Sequence, residues 1–229
     1  MCPVSAEVMR HDLRAALPFK NDEFDGVYHS HVLEHLPRAD GERFLRECWR
    51  VLLPGGTIRV VVPDLETLAR LYLKHLEGAV EGDAEAARRY EWSVIEMIDQ
   101  MVRERSGGEM LRYWQQNPMP AEGFVIERMG HEVTRVLERL RATGAQASAD
   151  AKSAREPDPQ FWRGGELHKW MYDRYSLARS LESAGFVEPR VCAANRSAIP
   201  DFASYNLDTD ELGRVRKPDS LFMEARKPS

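Results

Sequence analysis

Short apolar runs and one amphipathic helix alternate over the first sixty residues of the chain. Phe24–Ser30 follows a polar turn and is typical of a strand. Residues 57–62 form a β-branched run that is apolar on both faces, which suits a strand in a sheet covered on both sides. Residues 38–53 carry apolar side chains at spacings of three and four, which predicts a helix that ends at Pro54-Gly55-Gly56. With residues 7–13 as a further strand, this order predicts a parallel α/β sheet.

The middle of the chain has a different pattern. Residues 67–165 contain three amphipathic stripes at helical spacing, which predicts a mostly helical insertion. Residues 142–159 are rich in Ala, Ser, Asp and Pro and predict a linker within that insertion.

The last part of the chain returns to the α/β pattern. A helix is predicted over 175–184 with Gly185 directly behind it, followed by strands over 187–193 and Ser220–Arg226. The link over 194–219 is long, so we expect it to line a site. The predicted organisation is an α/β core formed by residues 1–66 and 166–229, with residues 67–165 as a helical insertion or lid.

The bulk properties exclude several classes of protein. The chain has 229 residues, of which 43% are hydrophobic and 30% charged, and its formal net charge is −5. Such a charge favours neither nucleic acid nor an anionic membrane. No apolar run is long enough to span a bilayer, and no secretion signal is apparent. Three scattered cysteines argue against a disulfide framework and against a zinc site built on cysteines. We therefore expect a cytoplasmic protein.

Acidic residues stand at the ends of two predicted strands, where open α/β sheets bind ligands. Asp12 is at the end of the first strand, and a carboxylate there accepts a hydrogen bond from an exocyclic amine such as that of adenine. A helix or turn cap is the alternative for Asp12. Asp64 ends the strand over 57–62, and there an N-cap of the following helix is the favoured interpretation.

A histidine-rich segment follows the strand Phe24–Ser30. His29, His31 and His35 invite a metal interpretation, but the spacing His-x-His-x-x-x-His matches no strong metal signature. A polar strand end that lines a pocket is the favoured interpretation, so we expect no metal. A metal-dependent hydrolase built on these histidines ranks third among the hypotheses for function.

Residues 168–173, His-Lys-Trp-Met-Tyr-Asp, are dense in side chains with chemical capability. His168 suits general-base chemistry near neutral pH, and Lys169 suits the binding of an anionic group. Trp170 and Tyr172 suit stacking on a ring. The alternative is that the apolar members of this segment belong to the core and the others are solvated.

Together these motifs resemble the class I S-adenosylmethionine (SAM) dependent methyltransferases. The resemblance lies in Asp12 with Leu17-Pro18-Phe19, Phe24-Asp25-Gly26-Val27, Val32-Leu33-Glu34-His35, residues 50–56 and Val62-Pro63-Asp64. The nearest group also carries the 168–173 segment and a last strand that begins Lys217-Pro218-Asp219-Ser220-Leu221. The likeness covers about residues 8–66 and 166–227, and it is specific because several motifs occur in the expected order.

The resemblance implies a Rossmann-like, mostly parallel sheet whose last strand is antiparallel, with SAM as cofactor. It implies that Asp12 and Leu13 face the adenine, and that His29, Ser30 and His31 lie near the methionine part. The substrate is expected to meet the insertion and residues His168, Lys169, Trp170 and Tyr172. His31 and His168 are the candidate bases. The expected reaction is methyl transfer to a small-molecule or saccharide-type acceptor.

One part of the family pattern has no counterpart in the chain. The family's first strand ends in a Gly-x-Gly turn and its second in an acidic residue that binds the ribose, and nothing before Glu7 supplies either. We therefore expect an N-terminally incomplete fold. Further residues upstream are the favoured explanation, and the alternatives are a rearranged fold or completion by a partner chain. The alternative function is a catalytically silent, methyltransferase-like binding protein that forms a homodimer through an exposed sheet edge.

Overall fold

The computed structural model describes residues 8–143, 161 and 164–229. Within these ranges four strands form one sheet: β1 Phe24–Ser30, β2 Leu52–Pro63, β3 Val187–Val191 and β4 Ser220–Arg226. The helices of the same ranges are α1 Arg38–Val51, α2 Leu65–Val80, α3 Ala84–Val102, α4 Gly108–Trp114, α5 Glu122–Met129, α6 His131–Thr143 and α7 Arg174–Ser183.

The sheet has the strand order β1-β2-β4-β3. β1 is parallel to β2, whereas β4 is antiparallel to both β2 and β3. Three strands therefore run in one direction and the last strand of the chain runs against them. This arrangement confirms the predicted α/β class and the antiparallel last strand. Among the described strands, β1 pairs with β2 alone, so its other edge is open within this part of the chain.

Several predicted boundaries are confirmed, and the prediction of one strand is wrong. β1 and β4 have the predicted bounds, and α1 ends just before Pro54-Gly55-Gly56. β2 begins earlier than predicted because Leu52 pairs with Phe24 and because Gly55 and Gly56 exchange backbone hydrogen bonds with Lys227. Residues 8–13 form no strand. Asp12 begins a turn there, closed by the N–H of Ala15 on the Asp12 carbonyl at 2.9 Å.

One face of the sheet packs against α1 and α7. Alternate residues of β2 and β4 point to this side, because successive side chains on a strand face opposite ways. They form a buried core with one side of each helix, in which the largest fully buried members are Leu33, Leu45, Leu52, Ile58, Leu177, Leu181 and Met223. Gly185 follows α7 with φ +102°, which confirms the predicted glycine behind that helix.

The other face of the sheet is covered by the long link after β3. Arg59, fully buried on β2, donates to Asp208 Oδ2 at 2.6 Å and to Glu224 Oε1 at 2.9 Å. It also donates to the carbonyls of Ala193 and Arg196. These contacts hold the link against the sheet. The link lines an open cavity of about 720 Å³ between residues 194 and 213.

The helices α2 to α6 lie between β2 and β3 in the sequence and have a second core of their own. Its buried residues include Trp92, Tyr113, Trp114, Val125 and Val133. Asp64 caps α2 by accepting from the N–H groups of Glu66 and Thr67, which confirms its predicted role as an N-cap. The predicted linker over 142–159 falls almost entirely outside the described residues.

Candidate functional site

Four segments of the chain converge at the carboxyl ends of β1 and β2. His31, with φ +52°, turns the chain out of β1 while its N–H donates to the Val61 carbonyl at 2.9 Å. The following 3-10 turn Leu33–His35 is joined to the 168–173 segment, since Lys169 N–H donates to the Glu34 carbonyl at 2.6 Å. The N–H of Leu65 donates to the Tyr172 carbonyl, and that of Asp64 to the Asp219 carbonyl, both at 3.0 Å.

At this junction lies a group of side chains that we call the Glu34 cluster, formed by Glu34, His31, His35 and His168. Glu34 Oε1 lies 3.3 Å from His31 Nδ1 and 3.9 Å from His35 Nε2. The rings of His35 and His168 meet edge to face with centroids 4.9 Å apart. Glu34 is 0% exposed, and neither of its carboxylate oxygens has a hydrogen-bond partner among the described residues.

The imidazole rings of His31 and His35 in this cluster are oriented by contacts of the ring nitrogen that does not face Glu34. His31 Nε2 lies 2.8 Å from the hydroxyl oxygen of Ser220, the first residue of β4. His35 Nδ1 donates to the Leu167 carbonyl at 3.1 Å. This bond leaves His35 Nε2, the nitrogen on the Glu34 side, as the unprotonated atom of the neutral ring.

Burial dominates the electrostatics of the cluster. It raises the pKa of Glu34 to about 8 and lowers the pKa of His31 to about 2 and of His168 to about 3, because a low-dielectric interior disfavours each charged form. The positive charge of Lys217 lowers the pKa of His31 and of His168 further, and it opposes the rise in the pKa of Glu34. The three groups are therefore expected to be neutral at pH 7.

The predicted adenine-side residues lie on an exposed turn. Arg14 holds the Asp12 carboxylate through its guanidinium at 2.7 Å and through its backbone N–H at 3.0 Å, and these bonds lower the pKa of Asp12 to about 2. Asp12, and to a smaller degree Asp40, raise the pKa of Arg14. Because Asp40 is in the first turn of α1, the Asp12 turn lies near the start of that helix. Leu13 packs on the sheet core.

The predicted methionine-side residues point in different directions. Ser30 is half-buried at the end of β1, next to His31 in the turn. His29 points to the opposite side of β1, into the core, where its ring lies 5.2 Å from that of Phe44. Both ring nitrogens of His29 are buried without a hydrogen-bond partner in the described structure, and burial lowers its pKa to about 4.

The 168–173 segment divides between core and surface. His168 is buried in the Glu34 cluster, and its N–H donates to the Gln100 carbonyl of α3 at 2.9 Å. Tyr172 is buried in the sheet core, where burial raises its pKa to about 12. Trp170 is 39% exposed and lies under the guanidinium of Arg38 at 5.3 Å. The half-buried Lys169 is joined to Glu34 through its backbone.

The sequence analysis did not select Glu34 as a site residue, and it considered His35 only in the metal-dependent hydrolase hypothesis. A glutamate directly behind two apolar residues, Val32 and Leu33, at the end of a strand was the available local signal. Nothing local connects Glu34 to His168 or to Ser220, because these residues meet only through the packing of α3, the 168–173 segment and β4.

Comparison with known proteins supports a family. Residues 3–60 match the model of a family described as methyltransferase domain. Over 61 residues the chain is 39% identical to a protein of Mycolicibacterium smegmatis described as an S-adenosylmethionine-dependent methyltransferase. That stretch is 27% of the chain and 23% of the relative, so the chain aligns with about a quarter of the relative's length.

Two solved structures are similar to the chain. One is the complex of the Haloferax volcanii Trm112 methyltransferase activator with a methyltransferase, at TM-score 0.38 and 15% identity, covering 96% of the chain and 60% of that chain. The other is a Bacillus halodurans protein described as a methyltransferase, at TM-score 0.36 and 14% identity, covering 97% and 78%.

The matched segment contains the Asp12 turn, β1, the Glu34 cluster except His168, and α1. On this match, the first quarter of the chain is similar to a methyltransferase domain and to part of an S-adenosylmethionine-dependent methyltransferase. No Gly-x-Gly turn precedes β1 in the described residues. Across the described ranges, no helix is both long and apolar enough to cross a membrane.

The segments before and after β1 offer some of the polar groups that SAM would need. The ionised Asp12 carboxylate is exposed and accepts hydrogen bonds, which suits an amino group such as that of adenine. Ser30 and the positive-φ turn at His31 supply polar atoms at the carboxyl end of the strand. A carboxylate for the ribose and a glycine turn are not found beside them in the described structure.

Proposed function

We propose that the chain binds SAM at the carboxyl edge of β1 and transfers its methyl group to a small-molecule or saccharide-type acceptor. The observation that carries this proposal is the family match over residues 3–60, which spans the Asp12 turn and β1. The aligned stretch is 23% of the relative, so the relative's activity is not assumed for this chain. The experiment below therefore uses the 229-residue chain itself.

In this proposal the cofactor residues are those of the sequence analysis. Asp12 and the backbone at Leu13 hold the adenine end, and Ser30 and His31 hold the methionine end. His29 faces Phe44, so its contribution is to the position of β1. SAM supplies an activated methyl on a sulfonium, and the chain supplies the alignment of the acceptor with that methyl.

The acceptor side of the proposed site is formed by the 168–173 segment and the helices that contact it. The bond from His168 to the Gln100 carbonyl supports a role for the 67–165 insertion as a lid. Trp170, exposed beside Arg38, offers a ring face to the acceptor, and Lys169 an ammonium group.

His31 and His168 stay the candidate bases. Their lowered pKa values keep both imidazoles in the neutral, proton-accepting form at pH 7. The same low pKa makes each a weak base, so we expect alignment of acceptor and methyl to contribute more than proton removal.

Calorimetric titration tests the proposal directly. We expect SAM and its demethylated product to bind the 229-residue chain, and Asp12→Ala to weaken binding by roughly tenfold through the loss of one charge-assisted hydrogen bond. The matched control is Asp25→Ala, which removes an exposed carboxylate near the amino end of β1. Equal loss in both variants, or no binding to the unaltered chain, would contradict the proposal.

The second candidate is a catalytically silent binding protein of the same fold. The open edge of β1 among the described strands favours it, because an unpaired edge is a template for pairing with another strand. A homodimer through β1 is the partner that this candidate implies. Sedimentation that gives a dimer, in a chain without SAM affinity, would support this second candidate over the first.

A further inference from the structure

The Glu34 carboxylate is buried without a hydrogen-bond partner in the described structure. Glu34 is 0% exposed, and both oxygens lack a hydrogen-bond donor within the described ranges. Its ion-pair contacts among those residues are with His31 and His35, which are cationic only when protonated. An ionised carboxylate in such a place is costly unless a cation or a donor compensates it.

The groups around Glu34 are metal ligands by type and by distance. One ligand atom each from Glu34, His35 and His168 lies within 4.8 Å of the other two. Ligands bound at about 2.1 Å in a tetrahedral site are roughly 3.4 Å apart, so a small inward movement of these side chains would close the site. Glu34 Oε1 and His35 Nε2 are already 3.9 Å apart.

The hydrogen bonds of the cluster agree with this arrangement. A histidine that binds a metal through one nitrogen commonly donates its other N–H to a carbonyl or carboxylate, which fixes the ring and its tautomer. His35 does this already, since Nδ1 donates to the Leu167 carbonyl and leaves Nε2 facing Glu34. The His31 ring, whose Nε2 lies 2.8 Å from the Ser220 hydroxyl, places its Nδ1 3.3 Å from the same Glu34 oxygen.

We propose that Glu34, His35 and His168 bind one divalent transition-metal ion. Two imidazoles and one carboxylate suit zinc, iron, cobalt or nickel better than magnesium or calcium, which prefer sites made of oxygen ligands. Three protein ligands leave at least one coordination position for water or another oxygen ligand. This proposal differs from the hydrolase hypothesis, because it uses His35 with Glu34 and His168 in place of His29 and His31. It does not depend on methyl transfer.

Lys217 provides an internal check on the charge of the site. Its ammonium is close enough to lower the pKa of Glu34, His31 and His168, yet it lies beyond ion-pair distance of Glu34. A bound cation would be repelled by this ammonium. Lys217→Met should therefore tighten metal binding, whereas a site elsewhere on the chain would be unaffected.

The test uses the tag-free 229-residue chain, stripped with a chelator and titrated with Zn²⁺ in the calorimeter. We expect one equivalent to bind, and Co²⁺ to give the visible absorption of a four- or five-coordinate ion. Glu34→Gln and His168→Ala should each weaken Zn²⁺ binding by at least about 100-fold. Loss of a residue that only hydrogen-bonds to a ligand costs up to about 100-fold, and loss of the ligand itself should cost no less. Mg²⁺ should not compete.

The control is His131→Ala, which removes a histidine that pairs with Asp210 at 3.2 Å, outside the cluster. Circular dichroism establishes that each variant is folded. Absence of stoichiometric Zn²⁺ binding to the unaltered chain overturns the proposal without any variant. Equal affinities of His168→Ala and His131→Ala, with both folded, overturn it as well.

Discussion

At the scale of single residues, burial of neutral histidines is the dominant electrostatic feature. His29 is the simplest case, because desolvation alone lowers its pKa from 6.5 to about 4 and no hydrogen bond to its ring exists in the described structure. Its ring fills space beside Phe44 on the core side of β1. The residue therefore behaves as a core side chain that resists protonation.

This gives a prediction for the pH dependence of stability. As pH falls below 6.5 the unfolded chain takes up a proton at His29, while the folded chain does so only near pH 4. The stability linked to His29 is thus complete above pH 6.5 and is lost towards pH 4, by about 2 kcal/mol at pH 5. His29→Leu should remove this loss. Denaturant unfolding at pH 7.5 and 5 measures it, with His131→Ala as the control. Parallel losses in the unaltered chain and His29→Leu would contradict the prediction.

At the scale of elements, α7 links the site to the core. The helix follows directly on the 168–173 segment, and its Leu177 and Leu181 are fully buried against the sheet. Asp173 begins it with a capping box, accepting from the N–H groups of Tyr175 and Ser176 while its own N–H donates to the Ser176 hydroxyl. The cap thus sets where the site segment ends and the helix begins.

Removing this cap should destabilise the fold. We expect Asp173→Ala to lower the free energy of unfolding by about 1–2 kcal/mol, because two helix N–H groups lose their acceptor. Asp173→Asn keeps an acceptor oxygen and should retain most of the stability. Chemical denaturation measures the free energy of unfolding of both variants. If alanine and asparagine gave the same stability, the capping account would be wrong.

At the scale of the whole molecule, the buried ion network at Arg59 joins the long link to the sheet. Arg59 pairs with Asp208 and Glu224, and Asp208 also accepts from the Tyr28 hydroxyl at 2.7 Å. All three charged groups are nearly inaccessible. Loss of one member leaves the others buried and uncompensated, which is the most costly way to disrupt such a network.

Arg59→Met should therefore lower the free energy of unfolding by about 3–5 kcal/mol. Arg190→Ala is the matched control, because Arg190 contacts the same Glu224 at 3.4 Å but its side chain is 56% exposed. That control should cost less than about 1 kcal/mol. Urea titration of both variants measures their free energies of unfolding. Similar losses in the two variants would contradict the prediction that burial makes the loss of Arg59 costly.

The sequence by itself determined most of the helices and strands of the sheet core, and the resemblance to methyltransferases over its first part. The local spacing of residues was sufficient to predict β1, β4 and α1, and also the helix caps at Asp64 and Gly185. Helix period, strand alternation and cap chemistry all depend on residues that are close together in the sequence. The order of motifs was sufficient to predict the resemblance to methyltransferases, which the comparison finds over residues 3–60. The predicted strand over 7–13 was wrong in its described part, because residues 8–13 pair with no strand among the described residues.

Only the tertiary structure decided which polar residues meet. It turned His29 into the core and Ser30 to the other face of β1, and it grouped Glu34 and His35 with His168, which is far along the chain. No local pattern encodes such contacts, because they arise when α3, the 168–173 segment and β4 pack against the end of β1. The burial that isolates Glu34 is likewise a property of the packed molecule, since the cost of a charge depends on the atoms that surround it.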